Sequence, residues 1–421
     1  MSFRGPSILK VNGGLGQQAP SDRNVAGLII ASGYEAGDFT FGVHTFNSLE
    51  EAEELGLSAS TDANATVGAL TWYHISEFFR LNPDGKLYVF NGDGLDMYAA
   101  FDPASAADQL MTASSNNIRF IGLVAGFPLT GTLALANGYF DGVKPAADAA
   151  QAWVDDRRAN DVYIDVVVLE GVQCQTATVE DLKTWELPQV AVVAMCDQGY
   201  LNGYAANFRK SAAVGTALGS IGVRMLSESI GSVDIATKPG DRRGEQNYSL
   251  TSTRQNRWVS GLSISSNVLF DALTQAKKTE LTNKGVIYAG AYAGYEGVYL
   301  NGDPTAALVT DDFNSINANR VWNECARRIR RALIPRMNSR VLIDPATGRI
   351  KASTIAEWDA AAKRELEALL GEGEIADFRF TMDPNQDVVA QGKVITRLRI
   401  VKQGIAKAIE AEIGFTNPAQ A

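Results

Sequence analysis

The sequence predicts a multi-domain α/β protein with an α+β C-terminal domain, on three observations. Apolar runs of strand length alternate with helical segments from Val25 to about Met225, the pattern of a mostly parallel sheet covered by helices on both faces. A strongly amphipathic, arginine-rich segment fills Ser315 to Ile334. Beyond it, two runs alternate apolar with polar residues, as half-buried strands do. At 421 residues the chain suits two or three domains. We divide it into an N-terminal arm (1–24), an α/β region with an outer domain (25–312), a C-terminal core domain (313–403) and a C-terminal arm (404–421).

The N-terminal segment holds one short strand-like piece, with Ile8, Leu9 and Val11, before Gly13-Gly14-Leu15-Gly16. Four residues cannot build a domain, so the piece reads either as a frayed end or as an arm ordered by a neighbour. The glycines do not make a phosphate loop: no Lys-Ser/Thr follows, and Pro20 and Asp22 stand where a helix would begin. Val25–Ala31 then reads as a buried strand. Ser48 caps an acidic helix to Leu55, with Glu51 in the reciprocal capping position. A longer helix is expected from about Ala65 to Leu81, with Val67, Leu70, His74 and Phe78 on one stripe. His74 has no second ligand at helical spacing and reads as a core residue.

Strands follow at Lys86–Phe90, Arg119–Ala125, Val162–Leu169, Val190–Met195 and Gly219–Met225, with helical pieces at Thr178–Trp185 and Tyr200–Ala213. Ligands of such sheets bind beyond the carboxyl ends of strands. Glu170 and Asp197 stand there and carry the alternative reading, an α/β hydrolase-like or ligand-binding enzyme. No histidine base, nucleophile elbow or metal-ligand cluster accompanies them, so no catalytic, metal or cofactor residue is assigned. The arginine-rich segment Lys238–Trp258 reads as a linker or partner-contacting insertion. Val286–Leu300 reads as two short strands rich in tyrosine and glycine.

In the C-terminal domain, Ala318, Val321, Trp322, Cys325, Ile329 and Leu333 share one helical face, and Arg320, Arg327 and Arg331 cluster opposite. Pro335 ends that helix and Val341–Ile343 makes a short strand. Thr354 is expected to cap the next helix with Glu357, and Gly371 to stop it. Ile355, Trp358, Ala362, Leu366, Leu369 and Leu370 form its buried face. Ala376, Phe378, Phe380 and Met382 then alternate with Asp377, Arg379 and Thr381; Val394, Leu398 and Ile400 alternate with Lys393, Arg397 and Arg399. Ile405, Ile409, Ile413 and Phe415 follow a Gly404 hinge; Ile405, Ile409 and Ile413 also fit helical spacing, so periodicity alone does not decide, and the run is read as a strand. A terminal strand with a one-sided apolar face needs a sheet edge, which a neighbouring chain can supply.

The bulk numbers bound the partners. A net charge of -10 argues against direct nucleic-acid binding. No run approaches the roughly 20 apolar residues that span a bilayer, and the N-terminus lacks a signal-peptide pattern. Three separated cysteines (Cys174, Cys196, Cys325) fit synthesis in a reducing cytoplasm.

The stretch VWNECARRIRRALIPRMNSRVLIDPATGRI, the capped helix and FRFTMDPNQDVVAQGKVITRLRIVKQGIAKAIEAEIGFTNP resemble the C-terminal domain of contractile tail sheath proteins of myophages and contractile injection systems. The resemblance reaches back to YLNGDPTAALVTDDFNSI and to SDRNVAGLIIASG near the start. It implies a non-enzymatic subunit without cofactors, stacked in hexameric rings around an inner tail tube protein and bounded by baseplate and tail terminator proteins. It places the protein in a virion tail or contractile injection apparatus, assembled in a bacterial cytoplasm. It also implies exchanged arms: Ile8, Leu9 and Val11 at one end, and Ile405, Ile409, Ile413 and Phe415 at the other. The receiving sheet would hold Phe378, Phe380, Val394, Leu398 and Ile400. Arg320, Arg327 and Arg331 are the tube-facing candidates.

Overall fold

The computed structural model describes residues 23–411 apart from 64, 66, 205, 234–247 and 384. Ile8, Leu9, Val11, Ile413, Phe415 and the first part of Lys238–Trp258 lie outside the described residues. The chain divides into two compact units, Met1–Arg224 with Ile230–Asn323, and Met225–Ser229 with Glu324–Ala421.

The first unit opens with β1 (Val25–Ile30), β2 (Gly42–Phe46), α1 (Leu49–Glu54), α2 (Ala59–Ala63), α3 (Thr71–Leu81), β3 (Lys86–Asn91), α4 (Ala106–Ala113) and β4 (Phe120–Val124). A small hairpin, β5 (Leu135–Ala136) with β6 (Tyr139–Phe140), leads to α5 (Val143–Ala159), β7 (Val166–Glu170), β8 (Val190–Val193), β9 (Met195–Asp197), α6 (Gln198–Leu201) and α7 (Val214–Val223). The unit closes with β10 (Leu262–Ile264), β11 (Val268–Leu269), α8 (Gln275–Asn283), β12 (Ala289–Gly290) and β13 (Tyr299–Leu300). Six strands form one sheet in the order β2-β3-β1-β4-β7-β8, parallel except for β2. The expected α/β class is therefore the observed one.

Alternation along each strand divides the core in two. Val25, Ile29, Ile121, Leu123, Val167 and Leu169 pack with α4 and α5 on one face. Ala26, Leu28, Ile30, Val124, Val166 and Val168 pack with α3 and α7 on the other. β1, β4, β7 and β8 are buried at every position, which is why they read as unbroken apolar runs.

Several expected boundaries move. Gly219–Met225 is not a strand: its start lies in α7, a helix buried on all sides, whose apolar run carries no periodicity to distinguish helix from strand. The helix seats against α3 through glycines. A Cβ on Gly215 would lie 2.1 Å from the His74 carbonyl oxygen, and one on Gly219 2.9 Å from that of Phe78. α3 starts at Thr71 rather than Ala65, where Asp62 from the preceding α2 caps it: its carboxylate accepts from Trp72 N at 3.0 Å and Tyr73 N at 2.7 Å. Of Thr178–Trp185 only a single 3-10 turn at Leu182–Trp185 is helical. Tyr200–Ala213 is broken into α6 and a 3-10 turn at Ala206–Lys210. The capping of α1 is as expected, with Ser48 accepting from Glu51 N, while the Glu51 carboxylate reaches Asn47 N at 2.7 Å.

α9 (Ile316–Leu333) contributes residues through Asn323 to the first unit and the remainder to the second. The second unit adds α10 (Ala352–Gly371), β14 (Ile375–Met382), α11 (Val388–Gln391) and β15 (Thr396–Lys402). Val341–Ile343 is reduced to a bridge between Ile343 and Ile350. α10 begins three residues earlier than expected, so Thr354 is a buried residue of its first turn and not its cap. Ala362, Leu366 and Leu369 form its buried stripe, whereas Leu370 is exposed.

The α3–α7 contact yields a test. Helix propensity favours alanine over glycine by about 1 kcal/mol, but the clash at Gly215 is with backbone that cannot move aside. Gly215→Ala is expected to lower stability by about 2 kcal/mol in denaturant unfolding. Gly203→Ala, with no atom within 4 Å of the added methyl, stays within about 0.5 kcal/mol of the parent.

Candidate assembly ribbon

β14 and β15 pair antiparallel as a two-stranded ribbon, and neither has another strand partner among the described residues. Two strands alone are marginal in water. α10 packs on β14, and Ile375, Phe380 and Met382 are buried. A bulge between Ile375 and Asp377 inserts Ala376 as the extra residue. Ala376 is consequently exposed and Ile375 buried, which corrects the expected alternation by one position. Val394 also falls outside the ladder, since β15 begins at Thr396.

Past the bulge the pattern is regular. Phe378, Phe380 and Met382 oppose Ile400, Leu398 and Thr396 on the apolar face. Asp377, Arg379 and Thr381 oppose Val401, Arg399 and Arg397 on the other, and all six are exposed. Leu398 and Ile400 are only half-buried, so the apolar face is incompletely covered on the β15 side. Residues 403–411, with Ile405 and Ile409, form neither helix nor strand, and Ile409 is 88% exposed.

The turn between the strands is closed by one side chain. Gln386 Nε2 donates to the carbonyls of Asp383 (2.9 Å) and Ile395 (2.8 Å), and its Oε1 accepts from Ile395 N at 2.5 Å. Asp387 caps α11 by accepting from Ala390 N at 3.0 Å. Gly392 ends it at φ 64, a left-handed conformation that glycine adopts without strain. A groove of about 470 Å³ opens here, lined in part by Leu333, Met337, Val341, Trp358 and Met382.

Buried polar contacts hold the ribbon's support. Arg328 bonds Glu324 at 3.1 Å, Glu372 at 2.9 Å and the Glu365 carbonyl at 3.3 Å, tying α9 to the end of α10. Glu374, 2% exposed, accepts from both the N–H and the hydroxyl of Ser227 at 2.9 Å, fixing the detached segment Met225–Ser229 to the base of β14. Nothing in the local sequence marks Gln386 or Glu374 for these roles. The arginines of the ribbon were visible as an alternation, but their opposition across the strands was not.

The three arginines read as one stripe do not form one. Residues 315–321 are buried all round, and Arg320 donates to the Arg224 carbonyl at 3.1 Å inside the first unit. Arg320 is thus withdrawn from any surface. Arg327 is half-buried, 3.7 Å from Glu324, and Arg331 is exposed. On the apolar face, Ala318, Val321 and Cys325 are buried, but Trp322 is exposed.

The two strand-end carboxylates are occupied by backbone. Glu170 accepts from Ala125 N at 2.7 Å and Ala212 N at 2.8 Å, and burial pushes its pKa up to about 8. Asp197 accepts from Tyr200 N at 3.2 Å and Trp258 N at 2.8 Å, with burial raising it to about 6. Both fasten segments to strand ends. His74 is a neutral core residue, its pKa lowered to about 3 by burial, with Nδ1 accepting from Gly215 N. Arg257, from the segment read as a linker, is 4% exposed. It lies 3.6 Å from Glu77 and 3.5 Å over the Tyr200 ring. Among the described residues no group of three or more His, Cys, Asp or Glu is placed to hold a metal, and no helix is long and apolar enough to cross a membrane.

Family models agree with a two-part chain. The DUF2586 N-terminal domain matches residues 3–303 and the DUF2586 C-terminal domain residues 312–420. The chain belongs to the DUF2586 family. No curated protein matches it. Among solved structures, a chain of the anti-feeding prophage baseplate, 6-fold symmetrised, matches with a TM-score of 0.61 at 14% identity over 99% of each chain. A chain of the PVC sheath complex of an extracellular contractile injection system, in its contracted state, matches with a TM-score of 0.59 at 12% identity over 100% of this chain and 99% of that one. The DUF2586 chain therefore has the fold of these contractile-system proteins along nearly its whole length.

Two outcomes follow. Gln386→Ala removes three bonds at the turn and is expected to cost about 1–3 kcal/mol in the second unit, with loss of hydrogen-exchange protection at the Ile395 amide. Glu170 holds its proton more tightly folded (about 8) than unfolded (about 4.3), so its contribution makes stability fall as pH rises from about 4.5 towards 8. Glu170→Gln flattens that slope in urea titrations at pH 5 and pH 8; an unchanged slope contradicts the assignment.

Proposed function

We propose that this chain is a structural, non-enzymatic subunit of a contractile tail sheath, polymerising around an inner tube and contracting to drive it through a target envelope. The observation that carries the reading is the shared fold with a chain of a contracted sheath complex, over nearly all of both chains. A two-stranded ribbon whose outer edges no other described strand pairs supports it, because assembly by strand addition needs such an edge. The six-fold symmetry of the baseplate assembly supports stacked rings of six.

In this reading Ile8–Val11 and Ile405–Phe415 are arms passed to neighbouring subunits, and the ribbon with Phe378, Phe380, Leu398 and Ile400 receives them. Backbone pairing keeps subunits linked while their globular parts slide, and contraction is a fall from a metastable lattice to a better packed one. Arg327 and Arg331 remain candidates for the tube-facing side; Arg320 does not. The inner tube, baseplate and terminator proteins are the partners, in a virion tail or injection apparatus assembled in a bacterial cytoplasm. The enzyme alternative loses its residues, since Glu170 and Asp197 spend their oxygens on backbone N–H groups.

Negative-stain microscopy of the purified chain is the test, with ordered tubes or rings expected. A stable monomer at high concentration contradicts the reading. Deleting Ile405–Ala421 is expected to abolish polymers while leaving a folded subunit by circular dichroism.

A further inference from the structure

Arg379 and Arg399 stand directly opposite each other across the ribbon, with Arg397 two residues along the same face. Like charges so placed repel. Among the described residues none of the three pairs with a carboxylate, and all are exposed. An acidic surface beside this face would relieve that repulsion.

The chain carries a segment of matching pattern. In Ile409-Glu410-Ala411-Glu412-Ile413, the two glutamates alternate with apolar residues at the period of a strand. Laid along a ribbon edge, this segment puts Ile409 and Ile413 on the face of the half-buried Leu398 and Ile400, and Glu410 and Glu412 on the arginine face. The two edges differ in charge. β14 offers Asp377 with Arg379 on that face, whereas β15 offers Arg397 and Arg399 and no acid. A slip of one residue would put both glutamates on the apolar face, so charge and hydrophobicity select the same register.

We propose that the arginine face is an electrostatic register lock, in which Glu410 and Glu412 from the tail of a second copy lie beside Arg397 and Arg399 along the free edge of β15. This rests on the arm-exchange reading and adds to it the edge, the face and the residues that recognise the incoming strand. The lock makes association sensitive to salt, since the pairs are exposed and screened within about a Debye length.

Reciprocal charge reversal in the full chain tests it. Arg397→Glu with Arg399→Glu, and separately Glu410→Arg with Glu412→Arg, should each raise the critical concentration for sedimentable polymer by about tenfold. A mixture of the two variants should polymerise near the parent concentration, because each ribbon then meets a tail of opposite charge from the other chain. Pairing of a tail with its own ribbon predicts no rescue on mixing and overturns the proposal. If the ribbon variant fails to fold, the tail variant alone decides by its critical concentration. Tail variants that assemble like the parent, while the chain lacking Ile405–Ala421 does not, refute the lock and leave arm exchange standing. Polymers from the deleted chain remove both.

Discussion

An antiparallel pair of strands satisfies only the backbone groups that face inward, and among the described residues no third strand pairs with the outer edge of β14 or β15. That is the constraint on which this molecule turns. Among the described residues the second unit leaves those edges open, with the ribbon buttressed from one side by α10 and closed at the turn by Gln386. The ribbon is thereby held in shape without being completed. In the arm-exchange reading proposed above, such a preformed ribbon meets the ordering cost of the receiving strands before a partner arrives.

The first unit behaves in the opposite way. Its interior holds a polar cluster around Glu77, which takes two bonds from Arg80 at 2.7 Å, one from the Thr216 hydroxyl and one from Trp258 Nε1, with Arg257 beside it. Removing one member would strand a buried charge, at a cost of about 3–5 kcal/mol. Such a network specifies one packing and resists slippage.

The sheet strands were legible in the sequence because burial on both faces leaves unbroken Val, Ile and Leu runs, as in Val166–Leu169. α7 was not, since a helix buried all round carries no amphipathic signal, and its glycines were read as sheet residues when they serve close helix packing. Helix starts failed where the cap was not the residue next to the helix, as with Asp62 for α3, or where no side chain capped it, as at Lys351 before α10. The ribbon's alternation was readable to within one residue, and the bulge at Ala376 accounts for the slip. Arg320 misled because projection onto a helical wheel supplies a polar face but not its surroundings; the first turns of α9 are enclosed. Gln386 and Glu374 act across turns and between segments, and no local pattern carries that information.

The central claim is that the free edge of β15 is closed by another copy of the chain. Amide hydrogen exchange read residue by residue, in the dispersed subunit and in the polymer, tests it most directly. The account predicts that the alternate amides of Thr396–Lys402 not bonded to β14 exchange freely in the subunit and become protected on assembly, together with amides of residues 405–415. Unchanged exchange at those β15 amides, in a chain that has polymerised, would contradict it.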